Sequence, residues 1–152
     1  MNINKVLLAV LSFLFVGCAH TNSLSVRVEG LPQKVSPTAR QKLTLYGYNG
    51  SLAFEEDWAG GHVIASHIYP GSEHLLFLSV PEHPEKGIPE GSPTAEKARF
   101  YLLYQADLDG DGKVCERVDF AGKNEDFTFA ESTKKTKIRV EPSPMATVCS
   151  KF

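Results

Sequence analysis

Residues 99–120 constrain the fold more than any other stretch of the chain. The first arm, residues 99–106, is aromatic and aliphatic, a composition typical of a core strand. An acidic turn of alternating aspartates follows it: Asp107, Asp109 and Asp111. Gly112 closes the turn, and residues 113–120 form a second arm that carries Cys115. The stretch therefore predicts two strands joined by a tight acidic turn at the centre of a β-sheet.

Length and composition indicate one folded domain. The chain has 152 residues, enough for a single domain with a hydrophobic core. Its hydrophobic content of 42% and charged content of 22% are typical of a globular protein. The net charge of −2 gives no indication of a nucleic-acid partner, which a basic surface would favour.

The N-terminus has the features of a targeting segment. Residues 6–16 are apolar apart from Ser12, and Lys5 precedes them. This run is shorter than the roughly 20 residues that cross a bilayer. It has the length of a signal-peptide hydrophobic region.

The end of this apolar run is Leu-Phe-Val-Gly-Cys, at residues 14–18. It resembles the lipobox of bacterial lipoproteins. The resemblance implies a signal peptide over residues 1–17, lipidation of Cys18 and a short tether over residues 18–23. Ala19 stands where related lipoproteins kept at the inner membrane often have aspartate, so the outer membrane is favoured. The alternative is an ordinary secretory signal that happens to contain a cysteine.

Two cysteines remain once Cys18 is assigned to lipid. Because thiols in secreted domains usually pair, Cys115 and Cys149 are predicted to form a disulfide. The bridge would close a loop of 35 residues and tie the C-terminal tail to the hairpin. Two free buried thiols are the alternative.

Short apolar or alternating segments between turn residues predict seven to eight strands within residues 24–152. Beyond the two arms described above, they lie at residues 24–32, 42–48, 62–69, 73–80, 127–129 and 136–141. Without a long amphipathic helix, this pattern predicts an all-β, antiparallel two-sheet sandwich. Four prolines within residues 81–93 predict a long exposed loop.

Three short motifs add a resemblance to a known group of folds. They are Gly-Leu-Pro at residues 30–32, Leu-Tyr at 45–46 and the acidic turn that follows Tyr104. Their order resembles transthyretin-like (prealbumin-like) sandwiches, which include the type III secretion lipoprotein chaperones, or pilotins. That resemblance implies a membrane-anchored domain that assists assembly of an envelope structure.

The acidic turn resembles the first half of an Asp-x-Asp-x-Asp-Gly calcium loop. Val118 stands where an EF-hand has its closing glutamate, and a strand replaces the entering helix, so the turn is not an EF-hand. A β-hairpin variant of the loop is predicted to hold structural Ca²⁺. Its candidate ligands are Asp107, Asp109, Asp111, the Lys113 carbonyl, Glu116 and Asp119. The alternative is ordinary hairpin chemistry, which Asp-Gly repeats also serve.

The sequence contains no recognisable catalytic motif. Its five histidines lack metal-ligand spacing. The first hypothesis is a non-enzymatic lipoprotein that faces the periplasm and presents a sheet edge or the 81–93 loop to an envelope protein. The second hypothesis is a carbohydrate- or small-ligand-binding sandwich in which the calcium turn orders a recognition loop. It would use a cleft beside residues 107–111, lined by aromatic side chains among Tyr46, Tyr48, Trp58 and Tyr69. An envelope hydrolase is the third.

Overall fold

The structure is a computed structural model that describes residues 21–32, 36–52, 60–114, 119–129, 135–139, 141–142 and 150–152. The described residues form ten strands: β1 (Thr21–Glu29), β2 (Arg40–Asn49), β3 (His62–Pro70), β4 (Leu75–Pro81), β5 (Ala98–Asp107), β6 (Lys113–Val114), β7 (Phe120–Lys123), β8 (Lys135–Arg139), β9 (Glu141–Pro142) and β10 (Ser150–Lys151). No helix found in this part of the chain is both long and apolar enough to cross a membrane.

Two main sheets pack against each other. One has five strands in the order β3-β2-β5-β7-β9, and the other has three in the order β4-β1-β8. A two-stranded ladder joins β6 to β10. The predicted all-β sandwich is confirmed. Strands β1 and β8 run parallel, in contrast to the antiparallel pairing of β1 with β4.

The core lies between the two sheets. Alternate residues of four strands point into it and are at most 2% exposed: Leu24, Val26 and Val28 of β1, Leu43 and Leu45 of β2, Leu76, Leu78 and Val80 of β4, and Phe100, Leu102 and Tyr104 of β5. Each such side chain contributes about 1.5–3 kcal/mol of transfer free energy. The period-2 pattern read from the sequence therefore identifies the inward face of each strand.

The central hairpin differs from its prediction. Strand β5 pairs with β7, with Ala106 opposite Phe120, while β6 pairs with β10. The connection between the paired arms therefore runs from residue 107 to residue 119 and is wider than the predicted tight turn. Asp119 accounts for part of this difference, because its carboxylate accepts the Leu108 N–H at 3.1 Å within the connection.

The proline-rich segment at residues 81–93 is not a fully exposed loop. It contains a single 3₁₀ turn at Pro84–Gly87. Ile88 is 1% exposed and belongs to the core cluster, and Pro93 is also buried. The Asn49 side chain donates to the Glu90 carbonyl at 3.3 Å. Apolar residues between the prolines thus fold the segment over the end of the sandwich where β2 ends.

Candidate functional site

Asp107 is the buried centre of the acidic turn. Its side chain is 0% exposed and lies 2.9 Å from the Arg40 guanidinium, from Oδ2 to Nη2. The Gly110 and Gly112 N–H groups donate to its two oxygens at 2.7 and 3.0 Å. Burial alone would raise the pKa of Asp107, but Arg40 and these N–H groups together hold it below its ordinary value. Asp107 is therefore a charged carboxylate that organises the turn.

Backbone conformation explains the glycines of the turn. Gly110 and Gly112 have φ values of +81° and +87°, in the left-handed region where side chains are strained. A Cβ at Gly110 would also lie 2.0 Å from the Thr38 hydroxyl oxygen. The Asp-Gly repeat thus supplies both the acceptors and the backbone freedom that this loop needs.

Asp109 and Asp111 also accept backbone N–H groups. Asp109 accepts from Asp111 at 3.1 Å, and Asp111 accepts from Lys113 at 2.7 Å. The Asp111 N–H lowers the pKa of Asp109, but desolvation and the nearby charges of Asp119 and Asp111 outweigh it, so the pKa is raised. Burial and the neighbouring carboxylates therefore oppose the ionisation of Asp109.

The predicted metal ligands are partly brought together. Carboxylate oxygens of Asp107, Asp109 and Asp119 lie within 4.8 Å of one another, and Asp111 is not in this group. Lys113 begins β6 opposite Lys151, while Glu116 lies outside the described residues. Three carboxylate oxygens are fewer than the six to eight ligands of Ca²⁺, and Arg40 already pairs with Asp107. The described side chains alone do not complete a calcium site.

Calcium binding stays a prediction of the sequence, and a thermal melt of residues 19–152 tests it. Saturating Ca²⁺ at about 100 times its Kd should add about 2.7 kcal/mol over the same protein in EDTA. That gain corresponds to a rise of several degrees in Tm. Asp109→Ala should abolish the rise. An unchanged Tm in the wild-type chain would show that the aspartates and glycines only shape the turn and do not bind Ca²⁺.

The C-terminus packs against the acidic turn. The Phe152 N–H donates to the Gly112 carbonyl at 3.1 Å, next to the β6–β10 ladder. The Arg40 guanidinium lies over the Phe152 ring, 4.9 Å from its centroid. Arg40 thus links the buried carboxylate to the last residue of the chain, a role that the sequence analysis did not detect.

A row of tyrosines lies on the outer face of the five-stranded sheet. Tyr46 and Tyr101 are cross-strand partners whose rings stack at 5.1 Å. The Lys123 ammonium lies 4.0 Å from the Tyr101 centroid on the other side. Asp107 is six residues from Tyr101 along β5, about 20 Å away. The tyrosine row and the acidic turn therefore form no common cleft. Trp58 lies outside the described residues.

Tyr48 lies beside this row and is 8% exposed. Its hydroxyl donates to the Asp126 carboxylate. Burial and then this neighbouring carboxylate raise the pKa of Tyr48 from 10.0 to about 12. The Tyr48 hydroxyl therefore loses its proton at a lower pH in the unfolded chain than in the folded chain. The contribution of Tyr48 to stability is lost as the pH rises from 10 to about 12.

An ultraviolet titration of the folded chain tests this assignment. Asp126→Asn should lower the pKa of Tyr48 but leave it above 10, because burial remains. Glu125→Gln, which changes the exposed neighbour of Asp126, is the matched control and should leave the titration unchanged. Equal effects of the two variants would show that Asp126 does not act on Tyr48.

Four large apolar side chains are exposed on the outer faces of the sandwich, and all lie on β3 and β4. Val63 and Ile68, 59% and 47% exposed, form what we term the β3 surface, on the outer face of the five-stranded sheet. Leu75 and Phe77, 45% and 58% exposed, form the β4 surface on the outer face of the three-stranded sheet. These four exposed positions were not predicted from the sequence. The pattern of a single strand does not show which of its two faces packs against the other sheet.

The two strands also form the edges of their sheets. Neither contains Lys, Arg, Asp or Glu, the charges that commonly protect edges from pairing with another chain. On β4, the Tyr69 hydroxyl donates to the Phe77 carbonyl at 2.8 Å and so occupies one edge acceptor. Tyr69 thus lies at the rim between the sheets, away from the tyrosine row.

The described histidines contact carboxylates, a backbone carbonyl and an aromatic ring. His62 pairs with Glu90, His83 lies 3.3 Å from Glu85, and His74 lies 3.3 Å from the Val28 carbonyl. His67 packs edge-on against the Tyr69 ring at 4.6 Å. Among the described histidines, these contacts bring no two imidazoles together on a common ligand.

Comparison with known proteins supports the fold. No protein-family model matches the chain, and no curated protein sequence matches it either. Among solved structures it is similar to an alternative pilotin from the type II secretion system of Vibrio cholerae. The TM-score is 0.50 at 18% sequence identity, and the match covers 80% of this chain and 96% of that chain. At this identity the likeness shows a shared fold.

Proposed function

We propose that this chain is a non-enzymatic, lipid-anchored assembly module of the cell envelope that holds a partner protein on its β3 surface. The main observation is that β3 is an edge strand nine residues long, without charged side chains, whose outward face exposes Val63 and Ile68. The fold shared with a pilotin supports an assembly role, and the partner we propose is a component of an envelope secretion or assembly machine.

The register of β3 extends this surface across the sheet. Val63 lies opposite Tyr46, which in turn lies opposite Tyr101, so an apolar side chain and two aromatic rings form one row. Ile68 lies opposite Lys42 on the same face. An apolar centre beside aromatic and basic side chains is a composition typical of protein interfaces. The free edge of β3 adds backbone groups that an extended partner segment could pair with.

The second and third hypotheses lack such support among the described residues. The tyrosine row and the acidic turn lie about 20 Å apart along β5, so they do not form the cleft that ligand binding would require. His62 and His83 are paired with glutamates on the surface. The geometry therefore favours protein binding over carbohydrate binding or hydrolysis.

Quantitative co-purification from envelope extracts tests the proposal. The double variant Val63→Ser/Ile68→Ser should retain at most about a tenth of the partner, because it removes two apolar contacts. Its Tm should stay within a few degrees of wild type, since both positions are exposed.

The matched control is Leu75→Ser/Phe77→Ser, which removes similarly exposed side chains from the other sheet. It should retain the partner. Equal loss from both double variants, or full retention in Val63→Ser/Ile68→Ser, would refute a docking role for the β3 surface.

A further inference from the structure

Hydrogen bonds at the end of β3 show which of its backbone groups point away from β2. The Gly71 N–H donates to the Ala39 carbonyl at 2.8 Å, one position beyond the last residue pair of the β2–β3 ladder. Hydrogen-bonded and non-hydrogen-bonded pairs alternate along an antiparallel ladder. Tyr69 therefore directs its N–H and carbonyl groups toward β2, whereas Ile68 and Ser66 direct theirs toward the edge of the sheet.

The edge of β3 has the spacing of a strand-pairing site. Among the described strands, β3 is an outermost strand of the five-stranded sheet. A bulge in its pairing with β2 limits the regular register to residues 65–70. Within that stretch, the edge has the N–H groups of Ser66 and Ile68 and the carbonyls of both residues and of Pro70, since proline has no N–H. Positions two residues apart repeat about every 7 Å, which is the repeat of another extended backbone.

The edge of β4 differs, because a side chain already binds it. The His74 carbonyl accepts an N–H of β1 at 2.9 Å, so the same alternation directs the backbone groups of Phe77 toward that edge. The Tyr69 hydroxyl donates to the Phe77 carbonyl at 2.8 Å. Among the described hydrogen bonds, none joins a side chain to the backbone groups on the β3 edge. An added strand is therefore less obstructed at β3 than at β4.

Both faces of the sheet beside the β3 edge are open to an added strand. On the outer face, Ile68 is 47% exposed. On the inner face, His67 lies opposite Leu43 of β2. Leu43 is 0% exposed and belongs to the core, whereas His67 is exposed. Side chains of an added strand would therefore have Ile68 as a neighbour on one face and His67 on the other.

The charge next to this edge favours an acidic partner. Lys42 lies opposite Ile68 on the outer face of the sheet. Among the described residues, Arg40 and Lys123 of the same face pair with aspartates at 2.9 and 3.2 Å, whereas Lys42 has no ion pair. A residue added opposite Ile68 would lie two strand spacings from Lys42, about 10 Å. A long acidic side chain at that position would approach the Lys42 ammonium across Ile68.

We propose that the β3 edge binds its partner by strand addition, with an extended, acidic segment of an envelope protein as the added strand. The backbone of the segment pairs with residues 66, 68 and 70. One outward side chain of the segment is acidic and lies near Lys42, and its neighbours on that face contact Ile68. The inference rests on the proposed function, because it specifies the conformation and the charge of the segment that the β3 surface holds.

Amide hydrogen exchange of the chain 19–152 tests whether this edge is open. Every described strand lies within residues 21–152, so this chain retains the described sandwich. The Ser66 and Ile68 amides should exchange roughly tenfold or more faster than those of His67 and Tyr69, which bond to β2. Equal protection of all four amides would show that another part of the chain covers the edge, and it would overturn the proposal.

A blocked synthetic peptide, Thr-Val-Thr-Glu-Thr-Val-Thr, serves as the acidic strand in the same measurement. With nine-tenths of the chain bound, exchange at Ser66 and Ile68 should slow about tenfold, because only the free fraction exchanges. Exchange at Phe77 and Ser79, on the β4 edge, should not change. A peptide with lysine in place of glutamate should bind less tightly. No slowing at Ser66 and Ile68, equal slowing at both edges, or equal affinity of the two peptides would overturn the proposal.

Proline variants test strand addition in the co-purification assay. Ser66→Pro removes an edge N–H and leaves the ladder with β2 intact, a place where sheets tolerate proline. Retention of the partner should fall about tenfold, because a backbone hydrogen bond is lost and the ring obstructs the edge. Ser79→Pro, the matched control on the β4 edge, should retain the partner. Ser66→Ala should retain it as well, since it removes only the hydroxyl that bonds to Thr44.

The same variants separate this inference from the proposed function. Loss of the partner in Val63→Ser/Ile68→Ser, with full retention in Ser66→Pro, would refute strand addition and leave the β3 surface as the docking site. Retention in both would refute the proposed function itself. Equal loss in Ser66→Pro and Ser79→Pro would also overturn strand addition at β3.

Discussion

Reduction of a disulfide between Cys115 and Cys149 is expected to lower the free energy of unfolding by about 3–4 kcal/mol, since the bridge would close a long loop. The described neighbours of the two cysteines support this pairing. Val114 lies opposite Ser150 in the antiparallel β6–β10 ladder, and the cysteines are the next residues along the two chains. Both cysteines lie outside the described residues, so the bridge is a proposal.

The hydrogen-bonding pattern of the ladder sharpens this proposal. Phe152 donates to Gly112 at 3.1 Å, so that pair is of the hydrogen-bonded type. Types alternate along an antiparallel ladder, and continuing the register would make 115 and 149 a non-hydrogen-bonded pair. Cα atoms in such pairs are about 4.5 Å apart, within the range that a disulfide spans. The closed bridge would hold the C-terminal residues against the acidic turn.

Chemical unfolding of residues 19–152, with and without reductant, measures this contribution. Cys115→Ser, Cys149→Ser and the double variant should each cost about the same 3–4 kcal/mol, because either change removes the whole bridge. Reductant should have no further effect on any of them. Two thiols that react in the untreated, denatured protein, or single-variant costs that add in the double variant, would contradict the bridge.

Asp107→Ala is expected to cost about 3 kcal/mol, or roughly 10 °C in Tm. The side chain is 0% exposed, and its removal leaves the Gly110 and Gly112 N–H groups without their acceptor. Arg40 is 43% exposed and regains water, which limits the loss from the ion pair itself. Most of the cost therefore comes from the buried turn.

The free energy of unfolding at acidic pH provides a second test of this prediction. The pKa of Asp107 in the folded chain lies below its ordinary value of 3.8. Its stabilisation is therefore fully present above pH 3.8 and is lost as the pH falls from there through the folded-state pKa. In Asp107→Ala, the free energy of unfolding should therefore change less with pH over that range than it does in the wild-type chain.

Asp111→Ala is the matched control, since Asp111 is an exposed aspartate of the same turn with one backbone donor, the Lys113 N–H. It should cost less than about 1 kcal/mol. At acidic pH, the unfolding free energy of Asp111→Ala should depend on pH much as that of the wild-type chain does, and not as that of Asp107→Ala does. Similar costs for the two variants would show that burial of Asp107 does not order the turn.

The period-2 pattern predicted most of the sandwich correctly. Strands β2, β3 and β4 lie within two residues of their predicted bounds at both ends, because each has a buried face and a turn signal beside it. The pairing of β5 with β7 was not predictable, since the wide connection depends on Asp119 folding back onto Leu108. Long-range hydrogen bonds of this kind leave no periodic signal.

The candidate surfaces were harder to predict than the strands. The acidic turn was located from its spacing, but the contact between Arg40 and Asp107 joins residues 67 positions apart. One usable signal existed for the exposed faces. In β4, Leu-Leu-Phe-Leu is apolar at consecutive positions, a pattern expected for strands covered on both sides. On an edge strand of a two-sheet sandwich, such a run leaves one of its two apolar faces exposed.

Site-specific photo-crosslinking in intact cells tests the central claim most directly. A photoreactive amino acid replaces Val63 or Ile68 in the full chain, and Phe77 serves as the control position on the opposite face. We predict that positions 63 and 68 capture the same envelope protein and that position 77 does not. Absence of an adduct at 63 and 68, or the same adduct at equal yield from 77, would contradict a partner site on the β3 surface.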